Sequence, residues 1–181
     1  MGADYYLELK NDLIALGYKH EIDWQTNLQP VSDAFVFRNE CIWVILNSGL
    51  KEQIARSIWN SIQSAWAHGF NTDFAFKHPG KVKAIDFIRE NYEAIFDGYC
   101  TSLDRLTYLQ NIPFIGPITK YHLAKNLGYD VVKPDRHLVR IAKEYGYDNP
   151  TELCNSISAA TGDKICVVDL VLWRSANLGL L

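Results

Sequence analysis

The chain has 181 residues, 48% of them hydrophobic, and a formal net charge of −3 at pH 7. That apolar share is enough to build a core for one domain or two small lobes. It excludes a membrane span, since no run approaches the roughly eighteen apolar residues required, and the net charge argues against wholesale nucleic-acid binding, which usually carries a whole-chain basic excess. The N-terminal MGADYYLELKND lacks the basic and apolar regions of a signal peptide, so a cytoplasmic site of action is expected. Cys41, Cys100, Cys154 and Cys166 are scattered, with no C-x-x-C pair, and read as reduced thiols, not as zinc or iron–sulfur ligands.

Helical periodicity recurs along the chain, and period-two alternation does not. Leu9, Leu13 and Leu16 mark a first helix ended by Gly17. A polar, aromatic-bearing loop (HEIDWQTNLQP) follows, then a second helix over 33–46 that breaks at Asn47-Ser48-Gly49. Ile54, Ile58 and Ile62 give the third helix a buried stripe ending near His68-Gly69. Beyond the loop NTDFAFKHPG, a helix carries Val82, Ile85 and Ile88, with a separate short one over 92–96. Thr101 with Asp104 resembles a capping pair that opens a helix through Leu109. Asn149-Pro150-Thr151-Glu152 reads as an N-cap and first turn, and Asp163 as the cap of a last helix bearing Val167, Leu170, Val171 and Trp173. The expected fold is all-α, about ten short helices in two lobes, forming a single compact domain over 1–181.

The stretch 112–141, IPFIGPITKYHLAKNLGYDVVKPDRHLVRI, concentrates the chemistry. Pro113 and Pro117 fix φ, and Gly116 is expected to take the positive φ of a tight reversal. Such a hairpin before a helix N-terminus leaves N–H groups outward, a nest suited to anions and to phosphate above all. An ordinary connection between two core helices is the competing reading. Lys120, Lys125, Lys133, Arg136, Arg140 and Lys143, against only Asp130 and Asp135 in the same stretch, favour the anion site.

Ile112-Pro113-x-Ile115-Gly116, then Leu123-Ala124-x-x-Leu127-Gly128, then Lys133-Pro134-Asp135-Arg136-His137-Leu138-Val139-Arg140 resembles the helix-hairpin-helix DNA glycosylase superfamily, of the endonuclease III-like fold without an iron–sulfur cluster. The helix, break and helix over 37–55 and the closing Asp169-Leu170-Val171-Leu172-Trp173 are similar to the family's pattern as well. The resemblance implies a helix-hairpin-helix over about 102–127 and a helix carrying the catalytic aspartate over about 134–145. It implies double-stranded DNA with a flipped base as the partner of a monomer, and no cofactor or catalytic metal, a structural monovalent cation at the hairpin being the one ion it allows.

The chemistry implied is cleavage of an N-glycosidic bond. Asp135, expected in the first turn of a helix where the dipole favours its ionised form, would stabilise the oxocarbenium-like sugar and orient water. A helix-capping aspartate is the plainer reading. Strand-cutting relatives hold a Schiff-base lysine just after the hairpin glycine; here that position is Ile118, and Lys120 lies about 200° further round the helix. The resemblance therefore implies a monofunctional glycosylase that leaves an abasic site, in base excision repair or in defence against phage DNA with modified cytosines. A non-catalytic DNA-binding module, or a lyase acting through Lys120 or Lys133, are the alternatives.

Phosphate contacts are expected from Ile115, Gly116, Ile118, Thr119, Arg136 and Arg140. Phe114 departs from the family, which often has glycine there. Asn47, Leu50 and Lys51 fall where relatives fill the hole left by a flipped base. Trp24 and Gln25 in the early loop, with Trp43, are candidate walls of the base pocket, although core packing is the stronger reading for Trp43.

Overall fold

The computed structural model describes residues 1–181 and is entirely helical, with no strand. In chain order the helices are α1 (Ala3–Leu13), α2 (Lys19–Asn27), α3 (Ala34–Asn47), α4 (Glu52–Ala67), α5 (Thr72–Ala75), α6 (Pro79–Thr101), α7 (Arg105–Gln110), α8 (Thr119–Asn126), α9 (Arg136–Glu144), α10 (Pro150–Thr161) and α11 (Ile165–Asn177). A π-helical turn, Ile14–Tyr18, joins α1 to α2. No helix is long and apolar enough to cross a membrane. The chain forms two compact units, one continuous (Val31–Leu123) and one assembled from both ends (Met1–Pro30 with Ala124–Leu181). The passage between them falls inside α8.

The core of the discontinuous unit gathers Tyr6, Leu9 and Leu13 of α1, Ile22 of α2, Leu138 and Ile141 of α9, Leu153 and Ile157 of α10, and the apolar face of α11. Leu16 does not join it and is 58% exposed. Gly17, at φ 93°, breaks the register in the π turn and swings Leu16 out of the stripe. Residues read as a polar loop then continue as α2, whose buried side chains are Ile22 and Gln25. Such a thin inward stripe carries little periodic signal.

The cap of α11 also differs from expectation. Asp163 does not cap α11; it accepts the Tyr6 hydroxyl at 2.6 Å and the Lys10 ammonium at 2.7 Å. The first turn of α11 is served from a distant segment, the Cys166 N–H donating to Asp130 Oδ1 at 2.9 Å. Asn149 caps α10 as expected, accepting from the Glu152 N–H at 3.0 Å.

The continuous unit packs α3 against α6 around Phe37, whose ring lies 5.4 Å from Phe96 and 5.0 Å from Tyr99. The inward face of α4 is Ala55, Ile62 and Ala65, while Ile54 is exposed. The helix expected separately over 92–96 is part of a single α6. Asn91 is accommodated by donating to the Phe87 carbonyl at 2.8 Å, and a Cβ at Gly98 would stand 2.8 Å from Tyr108 Cζ. Glycine there admits Tyr108, whose hydroxyl donates to the Ile95 carbonyl at 2.9 Å. Asp104 itself, not Thr101, caps α7, accepting the Thr107 N–H and hydroxyl at 3.0 and 2.6 Å.

Candidate active site

In the discontinuous unit, Asp135 stands at the N-cap of α9, one residue before the helix, with φ −83° and ψ 174°. Its Oδ1 accepts the N–H groups of His137 and Leu138 at 3.0 and 3.2 Å, and its Oδ2 lies 3.6 Å from the Lys133 ammonium. The side chain is 14% exposed, so one oxygen is committed to the helix while the other faces a cation at a partly open surface. Aspartate in the first turn was expected, and the capping reading holds as geometry. The two roles are compatible, because a cap uses one oxygen and leaves the other.

The loop before Asp135 is tied down by charge. Lys133 donates its own backbone N–H to Asp169 Oδ2 at 2.5 Å, and Asp169 Oδ1 pairs with the Lys125 ammonium. Both side chains of that pair are nearly sealed, at 10% exposed for Lys125 and 3% for Asp169. Burial pushes the Asp169 carboxyl above its ordinary range, while Lys125 and the Lys133 N–H pull the other way. Arg136 is exposed on α9. Arg140 is engaged by Glu144, both of whose oxygens lie 2.9 Å from its Nη1, so a phosphate there would have to compete with a carboxylate. Trp24 is 47% exposed on α2, and Gln25 is buried with its amide 3.5 Å from the Lys125 carbonyl. Both sit on a helix, not in a loop.

In the continuous unit, the hairpin between α7 and α8 reverses differently from expectation. Gly116 does not take a positive φ; Phe114 does, at 69°. Phenylalanine thus occupies the left-handed position that glycine fills without strain. Its ring packs on the loop opening α6: His78 is edge-on at 5.8 Å, and a Cβ at Gly80 would meet Phe114 Cε2 at 3.2 Å. Ile112 and Ile115 are buried, and Ile118 is 43% exposed. Two N–H groups expected to point outward have partners inside the turn: Ile115 donates to the Ile112 carbonyl at 3.0 Å and Gly116 to Thr119 Oγ1 at 2.6 Å. A phosphate contacting Gly116 would have to exchange with the Thr119 hydroxyl. Lys120 is held by Gln110 Oε1 at 2.7 Å. A monovalent cation at this turn would draw on carbonyl oxygens. That of Ile112 accepts one backbone N–H and keeps a second lone pair, so the donor type fits there, whereas that of Gly116 already takes both the Lys120 N–H and the Thr119 hydroxyl.

The break after α3 places Asn47, Ser48 and Leu50 at intermediate exposure around Gly49 at φ 75°, with Lys51 exposed as the N-cap of α4. Trp43 lies on α3 with the Arg56 guanidinium 5.3 Å from its ring, so it is a partly open side chain and not a sealed core residue.

A solved structure is similar over almost the whole chain: the 8-oxoguanine glycosylase/lyase of Methanocaldococcus jannaschii, in complex with a 15mer DNA containing 8-oxoguanine. The match covers 96% of this chain and 98% of that one, with a TM-score of 0.67 at 20% identity. This chain shares that glycosylase fold. No family model and no curated protein sequence matches it.

Within the glycosylase fold, three charged residues with structural duties were missed as parts of the site. Lys81, only 5% exposed, donates to the carbonyls of Leu46 and Ser48 at 3.1 and 2.6 Å and so holds the end of α3 where the break begins. Burial lowers its pKa. Lys125 and Asp169 are the other two. Asp169 carried a readable signal, a lone acid inside ICVVDLVLW, because a charge in an apolar run is rarely buried without a partner. No cluster of three or more His, Cys, Asp or Glu side chains is arranged to hold a metal ion.

Proposed function

We propose that the chain is a monofunctional DNA glycosylase that removes a damaged or modified base from double-stranded DNA by hydrolysis and leaves an abasic site. The observation that carries this reading is Asp135: a carboxylate at a helix N-terminus, one oxygen capping and the other 3.6 Å from an ammonium, in a chain with a glycosylase fold. As the glycosidic C1′–N bond breaks, its electron pair leaves with the base, and positive charge grows on the sugar. A fixed carboxylate stabilises that charge and orients the water whose oxygen bonds to C1′; the water gives up one proton to solvent, and the departing base takes one up. Pre-fixing Asp135 through two N–H bonds means little of that orientation has to be found during the reaction.

The hairpin residues Ile115, Gly116, Ile118 and Thr119, with Arg136 and Arg140, supply phosphate contacts in this reading. Asn47, Leu50 and Lys51 fill the hole left by the flipped base, and each unit offers candidate base contacts, Trp24 and Gln25 in one and Trp43 in the other. Water is assigned as the nucleophile because Ile118 stands where a strand-cutting relative has lysine, and Lys120 is turned to Gln110.

The test is base release, followed by mass spectrometry, from duplexes carrying alkylated purines, 8-oxoguanine, deaminated bases or glucosylated cytosines. Asp135→Asn is expected to lower the rate on the accepted substrate about 1000-fold, and wild-type rates in that variant would sink the assignment. Lys133, beside Asp135, is the specific reason to keep a second reading in view, a lyase using its amine. Borohydride trapping on an abasic duplex separates the two: hydrolysis predicts no covalent adduct, and an adduct lost in Lys133→Gln would replace water with Lys133.

A further inference from the structure

We propose that the buried Lys125–Asp169 pair is a positioning device that fixes the segment carrying Asp135. This rests on the reading of Asp135 above, but it is built from different atoms. The segment from Asp130 to Asp135 has no regular secondary structure, yet it is fastened to α11 at two points along its length. Asp130 Oδ1 takes the Cys166 N–H at 2.9 Å, and one turn further along α11 Asp169 Oδ2 takes the Lys133 N–H at 2.5 Å. Two residues past that second point is Asp135, and the Lys133 side chain itself reaches Asp135 Oδ2 at 3.6 Å.

Asp169 is thus a bridge with two functions for its two oxygens. One is neutralised by Lys125, which keeps a charged carboxylate tolerable at 3% exposure; the other is left to accept a backbone donor. A neutral core of the same shape would suffice for packing, since replacing a buried pair with apolar residues is commonly neutral or stabilising. An apolar residue at 169, however, gives the Lys133 N–H nothing to bind. The pair is retained, in this account, for the acceptor it presents to that N–H. Asp135 then inherits its position, because a loop held two residues before its functional group leaves few dihedrals free.

The experiment compares two neutral double variants in the full chain, Lys125→Met with Asp169→Asn and Lys125→Met with Asp169→Leu. They differ in whether position 169 can still accept from the Lys133 N–H. Four quantities are read: hydrogen exchange of the Lys133, His137 and Leu138 amides, thermal midpoint, single-turnover base release, and affinity for a tetrahydrofuran-containing duplex. A packing role predicts that the leucine variant is at least as good as the asparagine variant in every readout, because buried asparagine has amide hydrogens to satisfy.

Positioning predicts the opposite order for exchange and rate. The asparagine variant should keep slow exchange and most of the base release. The leucine variant should exchange those amides at least ten times faster and release base about 100-fold more slowly, at equal or higher thermal midpoint and unchanged duplex affinity. Equal exchange in the two variants, or faster exchange in the asparagine variant, overturns the proposal. Should Asp135→Asn prove fully active, the reading of Asp135 falls, and the exchange of the Lys133 amide still decides whether the pair positions this segment.

Discussion

The hairpin and the Asp135 segment are both short irregular stretches, but they are held in opposite ways. The hairpin closes on itself: Ile115 to Ile112, Gly116 to Thr119, each bond spanning three residues. Its one strained residue, Phe114, rests on the neighbouring loop at His78. The Asp135 segment is held from far away in sequence, with Asp130 and Lys133 each bonded to a residue 36 positions later. A locally closed turn survives loss of one contact, whereas a segment hung from a helix depends on that helix and on the buried charge beside it.

The largest expected effect follows from breaking the remote support. Asp169→Ala strands the Lys125 ammonium in the core and should cost about 4 kcal/mol of stability, read by urea unfolding. A loss below about 1 kcal/mol would mean that the pair is not a buried charge in solution. Next is Gly128→Ala, where φ is +87° and a Cβ would stand 2.7 Å from Pro30 N. About 3 kcal/mol is expected, since a left-handed backbone and a backbone clash act together.

The hairpin should be far more forgiving. Phe114→Gly deletes a whole ring but relieves a positive φ, so a net change within about 1 kcal/mol is expected, where a core phenylalanine would cost 3–5 kcal/mol. Smallest is Gly116→Ala, within about 0.5 kcal/mol of wild type by thermal unfolding, because the position has an ordinary φ and the nearest atom to a Cβ is Thr119 Oγ1 at 3.7 Å. A loss of several kcal/mol at Gly116 would erase the contrast between the two regions.

The same contrast explains what could be read from the sequence. Prolines, glycines and N-caps act over three or four residues, so the hairpin, Asn149 and the helix N-terminus at Asp135 were all legible. Which hairpin residue turns left-handed was not, because Phe114 is admitted by a contact with residues 78–80 that no local rule contains. Leu16 and α2 were misread for a related reason: the π turn at Gly17 shifts the register on which a periodic reading depends. Among the supports of Asp135, Asp169 stood out as a lone acid in an apolar run, but its partners could not be read, because Lys125, Asp130, Cys166 and Asp169 meet only after α8, the following segment and α11 have packed. Lys81 carried no sequence signal, because the Leu46 and Ser48 carbonyls that it holds lie more than thirty positions away.

A discontinuous unit also imposes an order on synthesis. Tyr6, Leu9, Leu13 and Ile22 are made well before α9, α10 and α11, whose surfaces bury them. The residues of the continuous unit, 31–123, are complete before then and carry their own core. The first two helices therefore remain amphipathic segments with an unpaired apolar face until α9, α10 and α11 have been made.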